Sequence, residues 1–246
     1  MKYGIFSDVH SNYEALKAML EFYRLHGVQG YVCCGDLVGY GPDPDKCVEE
    51  ISSLPFLDCV MGNHDMAALG KIPIEWFNPY ARQSIEFVKD VLSGGAMDFL
   101  QSSPHVICRE GMTIVHGSPK NPLEEYMLTA DQFLENESYW KTPVCFVGHS
   151  HVPLVMRKTP DGNKPEVLPL RDGDRIKTND GSRYIINPGA CGQPRDRDVR
   201  ASCGIFDTST GIFELKRIEY DVAKTQSRMT ALGLPRMLIE RIANGW

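Results

Sequence analysis

The chain has 246 residues, of which 42% are hydrophobic and 24% are charged, and its formal net charge is −6. This length suits one α/β domain better than two small ones, so residues 1–246 are expected to form a single domain. The acidic balance disfavours a nucleic-acid polymer or an anionic membrane as a partner, because both bind basic surfaces.

The sequence carries no signal for a membrane or for export. No apolar run reaches the roughly 18 residues that cross a bilayer. The start, "MKYGIFSDVH", lacks the apolar segment of a secretory signal. The eight cysteines include no C-x-x-C pair, which disfavours a zinc ribbon or a thioredoxin-like site. We therefore expect a cytoplasmic protein whose cysteines are free buried thiols.

Predicted strands and helices alternate in the first third of the chain. "KYGIFSD" predicts a buried strand, and "SNYEALKAMLEFYRLHG" predicts an amphipathic helix. Ser11 and Glu14 have capping-box spacing at its start, and Gly27 is a plausible C-terminal stop. "GYVCCGD" predicts a second strand, "DPDKCVEEISSL" a helix and "FLDCVMGNHD" a third strand. This βαβαβ order predicts parallel strands.

The pattern changes after residue 78. Residues 79–101 are predicted to be helical, "HVICREG" and "MTIVHGS" to form a hairpin, and residues 120–142 to form a polar loop with a short helix. Further strands are predicted at "VCFVG", "LVMRK", "RYIINPG" and "CGIFD" with "GIFELKRIEY". The last 25 residues predict a helix interrupted near Pro235. An α/β beginning and a β-rich end together predict two packed sheets with helices outside.

Residue types that bind metals follow the predicted strands. They are Asp8 and His10 after the first strand, Asp36 after the second, Asn63, His64 and Asp65 after the third, His116 after "TIV", and His149 and His151 after "CFVG". Because parallel strands end at one edge of a sheet, these side chains are expected to converge. If the segments are extended, residues i and i+2 point the same way, which would pair Asp8 with His10 and His149 with His151.

These residue types indicate a two-metal site. Imidazole and carboxylate ligands without thiolate suit zinc, iron or manganese. Two ions about 3.5–4 Å apart need a bridging carboxylate. Each motif alone has an ordinary explanation, such as a turn closed by an Asx hydrogen bond or an Asn in a left-handed conformation. The ordered set, with each motif after an apolar strand, is what indicates metal binding.

The ordered set D-x-H, G-D, G-N-H-D, H and G-H-x-H resembles the calcineurin-like metallophosphoesterases. The resemblance runs from Asp8 to His151 and continues more loosely to "INPGACGQPRD", which is similar to small bacterial, phosphodiesterase-like members. It implies a four-layer α-β-β-α sandwich of two mixed sheets. It also implies a ligand set for each of two metals: Asp8, His10, Asp36 and His151 for one, and Asp36, Asn63, His116 and His149 for the other, with Asp36 as the bridge.

The resemblance further implies a metal-dependent phosphoric ester hydrolase. In such an enzyme a metal-bridging hydroxide attacks phosphorus, and His64 protonates the leaving oxygen or donates a hydrogen bond to the phosphoryl group. Asp65 either orients His64 or caps the next helix. The expected cofactors are two divalent ions (Mn²⁺, Zn²⁺ or Fe), and the expected partner is a small phosphorylated substrate.

One departure from the family bears on the substrate. Its phosphoprotein phosphatases and symmetric dinucleoside tetraphosphatases carry Asp-Arg-Gly after the second motif and an arginine before G-N-H. This chain has Gly39, Tyr40 and Met61 at those positions. A monoester dianion gains more than a diester from arginine clamps. We therefore expect small phosphodiesters to be hydrolysed at least as well as monoesters. The expected substrates are small phosphodiesters or nucleotides.

Two other segments contain candidates for contacting the substrate. Asn12 begins the first helix, where backbone N–H groups favour anions, but helix capping explains it about as well. Arg195 in "QPRDRDVR" could reach the substrate, as could Arg197 and Arg200. The alternative is a solvated loop in which these arginines pair with the neighbouring aspartates.

Three other functions are left open by the sequence. The chain could be an interaction scaffold that keeps the fold without catalysis, a metallonuclease, or a protein phosphatase. The complete set of ligand types argues against the scaffold, the acidic charge against the nuclease, and the missing arginines against the protein phosphatase.

Overall fold

The structure is a computed structural model that describes residues 1–109 and 111–246. The strands are β1 (Lys2–Phe6), β2 (Gly30–Cys33), β3 (Leu57–Cys59), β4 (Val106–Arg109), β5 (Met112–Val115), β6 (Val144–Phe146), β7 (Leu154–Lys158), β8 (Glu166–Pro169), β9 (Arg175–Lys177), β10 (Arg183–Asn187), β11 (Ala201–Asp207) and β12 (Ile212–Ile218). The α-helices are α1 (Tyr13–Leu25), α2 (Pro44–Ser52), α3 (Asn63–Ala68), α4 (Pro79–Val91), α5 (Gly94–Ser102), α6 (Ala130–Asn136), α7 (Val222–Ala231) and α8 (Arg236–Asn244). In the described ranges, no helix is long and apolar enough to cross a membrane.

The strands form two mixed six-stranded sheets. The first has the order β3-β2-β1-β11-β12-β9, and its strands β1, β2 and β3 are parallel. The second has the order β4-β5-β6-β10-β7-β8, and its strands β5, β6 and β10 are parallel. The other neighbouring strands pair antiparallel. Each sheet therefore has its own parallel set, and ligands bind at the carboxyl ends of such strands.

Three apolar layers separate the four layers of secondary structure. Between the sheets, Ile5 and Val32 of the first sheet belong to the same core as Phe146 and Ile186 of the second. Helices α1, α2 and α5 cover the outer face of the first sheet through residues such as Leu16, Ile51 and Leu100. Residues Met127, Phe133 and Trp140 cover the outer face of the second sheet. The expected α-β-β-α sandwich is confirmed.

The C-terminal helices bring the end of the chain close to the predicted site. Met229 of α7 and Leu238 and Ile242 of α8 pack against Tyr40, which follows β2, and against Ala81 of α4. The helical prediction for this region is confirmed, with the interruption at Pro235. Proline lacks the N–H that a continuous helix would need there.

Several local predictions were wrong. The third strand ends at Cys59, and Asn63 begins α3, so the G-N-H-D motif lies on the first turn of a helix. Asn12, not Ser11, caps α1, because its side chain accepts the Ala15 N–H while Ser11 has a left-handed backbone with φ 55°. These errors arose because an apolar run and a capping pattern do not show where the chain turns.

Other boundaries also differ from the predictions. The helical prediction for residues 79–101 is confirmed, and the region forms two helices because the Ser93 side chain accepts the Ala96 N–H and starts α5. Strands β8 and β9 were not predicted; both are short and lie at sheet edges. The predicted hairpin forms between β4 and β5, and Glu110 between them lies outside the described residues.

Candidate metal centre

The seven predicted metal ligands lie between the carboxyl ends of the parallel strands of the two sheets. The first sheet and the helix after it contribute Asp8, His10, Asp36 and Asn63; the second sheet contributes His116, His149 and His151. All are buried except Asn63, which is half-buried. The sequence therefore identified the residues that converge, and the sheet packing brings the two sets together.

The backbone that carries these ligands is left-handed at five non-glycine residues. The φ angles are 55° at Asp8, 47° at His10, 55° at Asp36, 66° at His149 and 60° at His151. Each costs of order 1–3 kcal/mol, and such strain clusters at functional sites. The assumption of extended segments was therefore wrong. Asp8 and His10 meet because the loop turns sharply after β1, held by the Asp8 N–H donating to the Gly35 carbonyl (2.9 Å).

The first ligand group comprises Asp8, His10, Asp36 and His151. Their donor atoms all lie within 4.8 Å of one another. The Nε2 atoms of His10 and His151 are 3.0 Å apart. The distance from His151 Nε2 to Asp8 Oδ1 is 3.3 Å, and that from His10 Nε2 to Asp36 Oδ2 is 3.6 Å. This is the first set that the resemblance implied.

The second ligand group comprises Asp36, Asn63, His116 and His149. His116 Nε2 lies 3.4 Å from Asp36 Oδ2, 3.2 Å from His149 Nδ1 and 3.0 Å from Asn63 Oδ1. Asp36 Oδ1 accepts the backbone N–H of His64 at 2.9 Å. Oδ2 is therefore the oxygen that faces both groups, which suits Asp36 as a bridge. His149 and His151 face different groups, as the resemblance implied.

Backbone carbonyls fix the protonation of the four imidazoles. A carbonyl can only accept, so the ring nitrogen next to it carries hydrogen, and the opposite nitrogen of a neutral ring presents a lone pair. The four contacts are His10 Nδ1 to Val38 O (2.9 Å), His116 Nδ1 to Cys34 O (2.8 Å), His151 Nδ1 to Gln193 O (2.6 Å) and His149 Nε2 to Glu124 O (3.1 Å). In each case the nitrogen that faces the ligand groups is left free to bind a metal.

This donor set fits a pair of metal ions. Two nitrogens that are each about 2.1 Å from one ion and at right angles to each other lie about 3 Å apart, as the Nε2 atoms of His10 and His151 do. Without a cation or a proton between them, these facing lone pairs would repel. The carboxylates of Asp8 and Asp36 are at most 1% exposed. Among the described residues no Lys or Arg pairs with either, and buried charges need compensation.

The pKa values of the site residues reflect this uncompensated charge. Burial alone would lower the pKa of His116, but the adjacent Asp36 carboxylate raises it to about 9. Burial likewise opposes ionisation of Asp36, yet His116 holds the pKa of Asp36 well below its usual range. Burial lowers the pKa of His149 to about 3, and neighbouring His116 adds to this effect. The Asp36 carboxylate thus makes the surroundings of His116 favourable for positive charge.

His64 is held beside the ligand groups by ring packing. The centroid of its ring lies 4.8 Å from that of His10, 4.5 Å from that of Tyr40 and 5.0 Å from that of Phe77. Gly39 passes so close that a Cβ there would lie 2.5 Å from His64 Nδ1. Nδ1 is buried, and no hydrogen-bond partner for it occurs in residues 1–109 and 111–246. There is no room for a carboxylate at Gly39 to orient this ring.

Asp65 was predicted either to orient His64 or to cap the next helix, and its contacts are those of a cap. Its Oδ2 accepts the N–H groups of Asp36 (3.0 Å) and Gly62 (2.9 Å). Its Oδ1 accepts the N–H groups of Leu37 (2.9 Å) and Val38 (3.1 Å). The carboxylate therefore caps α3 and holds the loop that carries Asp36, and it makes no hydrogen bond to the ring of His64.

Asn12 is fully used in holding secondary structure together. Its Oδ1 accepts the Ala15 N–H (3.3 Å) and the Thr225 hydroxyl (3.1 Å). Its Nδ2 donates to the Gly192 carbonyl (2.9 Å) and the Tyr220 hydroxyl (3.2 Å). Capping is thus the role that the structure gives Asn12, and its amide has no capacity left for a substrate.

The arginines of the 195–200 loop separate into two roles. Arg195 borders the site, where its Nη2 donates to the Tyr40 hydroxyl (3.3 Å) and to Gln193 Oε1 (3.1 Å). Arg200 pairs instead with Asp198 (2.7 Å) and Asp172 (3.0 Å). The position of Arg195 therefore agrees with the prediction that it contacts the substrate. Arg200 follows the alternative, in which the arginines of the loop pair with aspartates.

A cavity of about 290 Å³ opens over the ligand groups, and part of its wall was not predicted. Asp36, His64 and Arg195 line it together with the aromatic residues Trp76, Phe77, Tyr40 and Tyr126. Only the segment "PIEWFNPY" offered a signal, since the five residues between its two prolines are too few for a long core helix and include two large aromatic side chains. The contribution of Tyr126 depends on tertiary packing that no local pattern shows.

Comparisons with known proteins agree with this geometry. A family model described as the calcineurin-like phosphoesterase superfamily domain matches residues 1–211. The chain is 38% identical over 246 residues to an uncharacterized protein of Methanocaldococcus jannaschii, covering 98% of this chain and 97% of that protein. The fold is similar to that of a metallophosphoesterase from Sphaerobacter thermophilus, with a TM-score of 0.89, 40% identity and complete coverage of both chains. A hypothetical protein from Pyrococcus horikoshii has the same fold, with a TM-score of 0.81, 18% identity and coverage of 100% and 98%.

Proposed function

Since the chain belongs to the calcineurin-like phosphoesterase superfamily, we propose that it uses two divalent ions to hydrolyse small phosphodiesters. The observation that supports this best is the pair of ligand groups that share Asp36 Oδ2 at the floor of a cavity. An interaction scaffold would not need this buried, strained and complete donor set.

Each residue of the centre has a defined task in this proposal. Asp8, His10, Asp36 and His151 would hold one ion, and Asp36, Asn63, His116 and His149 the other. When bound, the ions supply Lewis acidity, which activates water and neutralises charge on phosphoryl oxygens. The backbone carbonyls behind the imidazoles keep the ligating nitrogens aimed at the ions.

His64 is the residue proposed to act on the leaving group. Its Nδ1 is buried against Gly39, so the ring presents Nε2 to the cavity. Its ring is fixed by the packing of Tyr40 and Phe77, which removes the need for an orienting carboxylate. From this position His64 donates a hydrogen to the phosphoryl group or to the leaving oxygen.

The cationic groups of the cavity favour a diester. Arg195 is the one Arg or Lys that borders the cavity in the described part of the chain. A monoester dianion gains more from several guanidinium clamps than a diester monoanion does. Tyr40 occupies one of the positions where the phosphatases of the family carry an arginine, and it accepts a hydrogen bond from Arg195. A single arginine is therefore matched to a single negative charge.

The test compares kcat/KM for bis-(p-nitrophenyl) phosphate and p-nitrophenyl phosphate at one metal loading and pH. We expect the diester to be hydrolysed at least as efficiently as the monoester. A preference of tenfold or more for the monoester would reject the diesterase and leave the phosphoesterase standing. Arg195→Gln should lower both values, whereas Arg197→Gln, an exposed neighbour on the same loop, is the matched control and should change neither.

A further inference from the structure

We propose that the cavity selects phosphate esters that carry a nucleoside, whose base stacks on Trp76, Phe77 and Tyr126. This inference rests on the proposed function, because it names the group that the hydrolysed ester carries. It concerns the aromatic residues that form one wall of the cavity, whereas the proposed function concerns the ligand groups at the cavity floor.

The first observation is an aromatic wall that is exposed although its side chains are large. Trp76 is 64% exposed and Tyr126 is 42% exposed, while Phe77 is half-buried. They come from two distant segments, one between α3 and α4 and the other between β5 and α6. Both segments nevertheless border the cavity that Asp36 and His149 line. Exposed apolar surface gathered around one concave site is typical of ligand binding.

Two rings of the wall, those of Tyr126 and Phe77, pack directly on histidines of the site. The ring of Tyr126 stacks on that of His149, with centroids 4.2 Å apart and an angle of 15° between the planes. Phe77 meets His64 edge-on at 5.0 Å. Trp76 ends a short 3-10 helix that begins at Ile74, whose carbonyl accepts the Phe77 N–H at 3.1 Å. A ring bound here is therefore held at a set position relative to a phosphate at the floor.

The wall also carries polar groups that suit the edge of a base. The Oδ1 of Asn78 accepts the N–H groups of Tyr80 and Ala81, both at 3.1 Å, which leaves its Nδ2 able to donate. Glu124, another lining residue, is exposed and adds a carboxylate that only accepts. A nucleobase has both donors and acceptors at its edge, whereas a plain aryl ring has neither. A donor at Asn78 and an acceptor at Glu124 therefore favour a nucleoside ester over an aryl ester.

The test is a binding titration of the zinc-loaded His64→Ala variant, in which slow turnover allows Kd to be measured, and the further substitutions are made in this variant. Three methyl phosphodiesters of equal charge are compared: those of adenosine, benzyl alcohol and tetrahydrofurfuryl alcohol. Isothermal titration calorimetry measures Kd, so that variants without Trp76 can be compared with the same readout. Stacking on one aromatic ring strengthens binding by about five- to 150-fold. We expect Kd to be lowest for the adenosine ester and intermediate for the benzyl ester. Kd for the tetrahydrofurfuryl ester should be at least tenfold higher than that for the adenosine ester.

Variants separate the wall from the rest of the protein. Trp76→Ala and Tyr126→Ala should each raise Kd for the adenosine ester fivefold or more and leave that for the tetrahydrofurfuryl ester unchanged. Tyr139→Ala removes an aromatic residue that is 56% exposed away from the cavity and should have no effect. Equal Kd values for the three esters would overturn the proposal, and a benzyl ester that binds as well as the adenosine ester would overturn the choice of a nucleoside.

The titration and a turnover assay of the wild-type protein with the same esters together distinguish this inference from the proposed function. Preferential binding of the adenosine ester without hydrolysis of any ester would support nucleoside binding by the aromatic wall and reject the proposed hydrolase activity. Hydrolysis of diesters, with binding that does not depend on the ring that the ester carries, would support the hydrolase activity and reject nucleoside binding by the aromatic wall.

Discussion

His64 and Asp65 are neighbours in the sequence, but their surroundings give them opposite roles. The Asp65 carboxylate accepts four backbone N–H groups and is saturated. The His64 ring has a buried Nδ1 without a partner in the described ranges and borders the cavity. Asp65 therefore organises the loop of Asp36, while His64 is available to the substrate.

His64→Ala should keep both metal ions and slow turnover. The expected loss is about 10²–10⁴-fold, the usual contribution of a positioned acid or hydrogen-bond donor. The loss should shrink for nitrophenyl esters, whose leaving group needs no proton. Turnover of alkyl and nitrophenyl diesters, together with metal content, checks this. His105→Ala, which removes an exposed histidine outside the motifs, is the control; loss of metal from His64→Ala would instead make His64 a ligand.

The elements of the fold meet at the ligand loops, where close approach dictates the sequence. Gly62 precedes α3 and lies directly against Asp36, so that a Cβ on Gly62 would overlap the carboxylate and the backbone nitrogen of Asp36. The glycine of the G-N-H motif is therefore needed because the Asp36 carboxylate occupies the space of a side chain.

Gly62→Ala should displace Asp36 and weaken the binding of both ions. Overpacking of this kind costs about 1–3 kcal/mol of stability, and the displaced carboxylate belongs to both ligand groups. Thermal unfolding and metal content measure the two effects. Gly95→Ala is the matched control, because a Cβ at Gly95 meets nothing within 4 Å. If Gly62→Ala bound two ions with unchanged stability, the close approach would have no consequence for the site.

The sequence predicted which residues converge better than the geometry that brings them together. Short motifs after apolar strands revealed Asp8, Asp36 and His116, because parallel strands share an edge. The left-handed turns at Asp8 and His10 were not predicted, since non-glycine residues rarely adopt them. The aromatic wall was missed because Tyr126 and Trp76 are brought together only by tertiary packing.

At the scale of the whole molecule, the centre exists only where the two sheets pack. The first sheet supplies both buried carboxylates, and the second supplies three of the imidazoles. Packing the sheets thus places Asp8 and Asp36 in a buried environment without a Lys or Arg partner in the described residues. Bound cations would stabilise the folded chain, because they bind the native state and not the unfolded one.

Metal content is the measurement that tests the central claim most directly. Elemental analysis of protein purified without chelator, reloaded with divalent metal and desalted should give close to two ions per chain. Asp36→Asn should lower the occupancy of both sites together and reduce phosphodiester turnover by orders of magnitude, because Asp36 Oδ2 faces both groups. A reproducible stoichiometry of one or fewer in the wild type, or full occupancy with wild-type turnover in Asp36→Asn, would contradict the account.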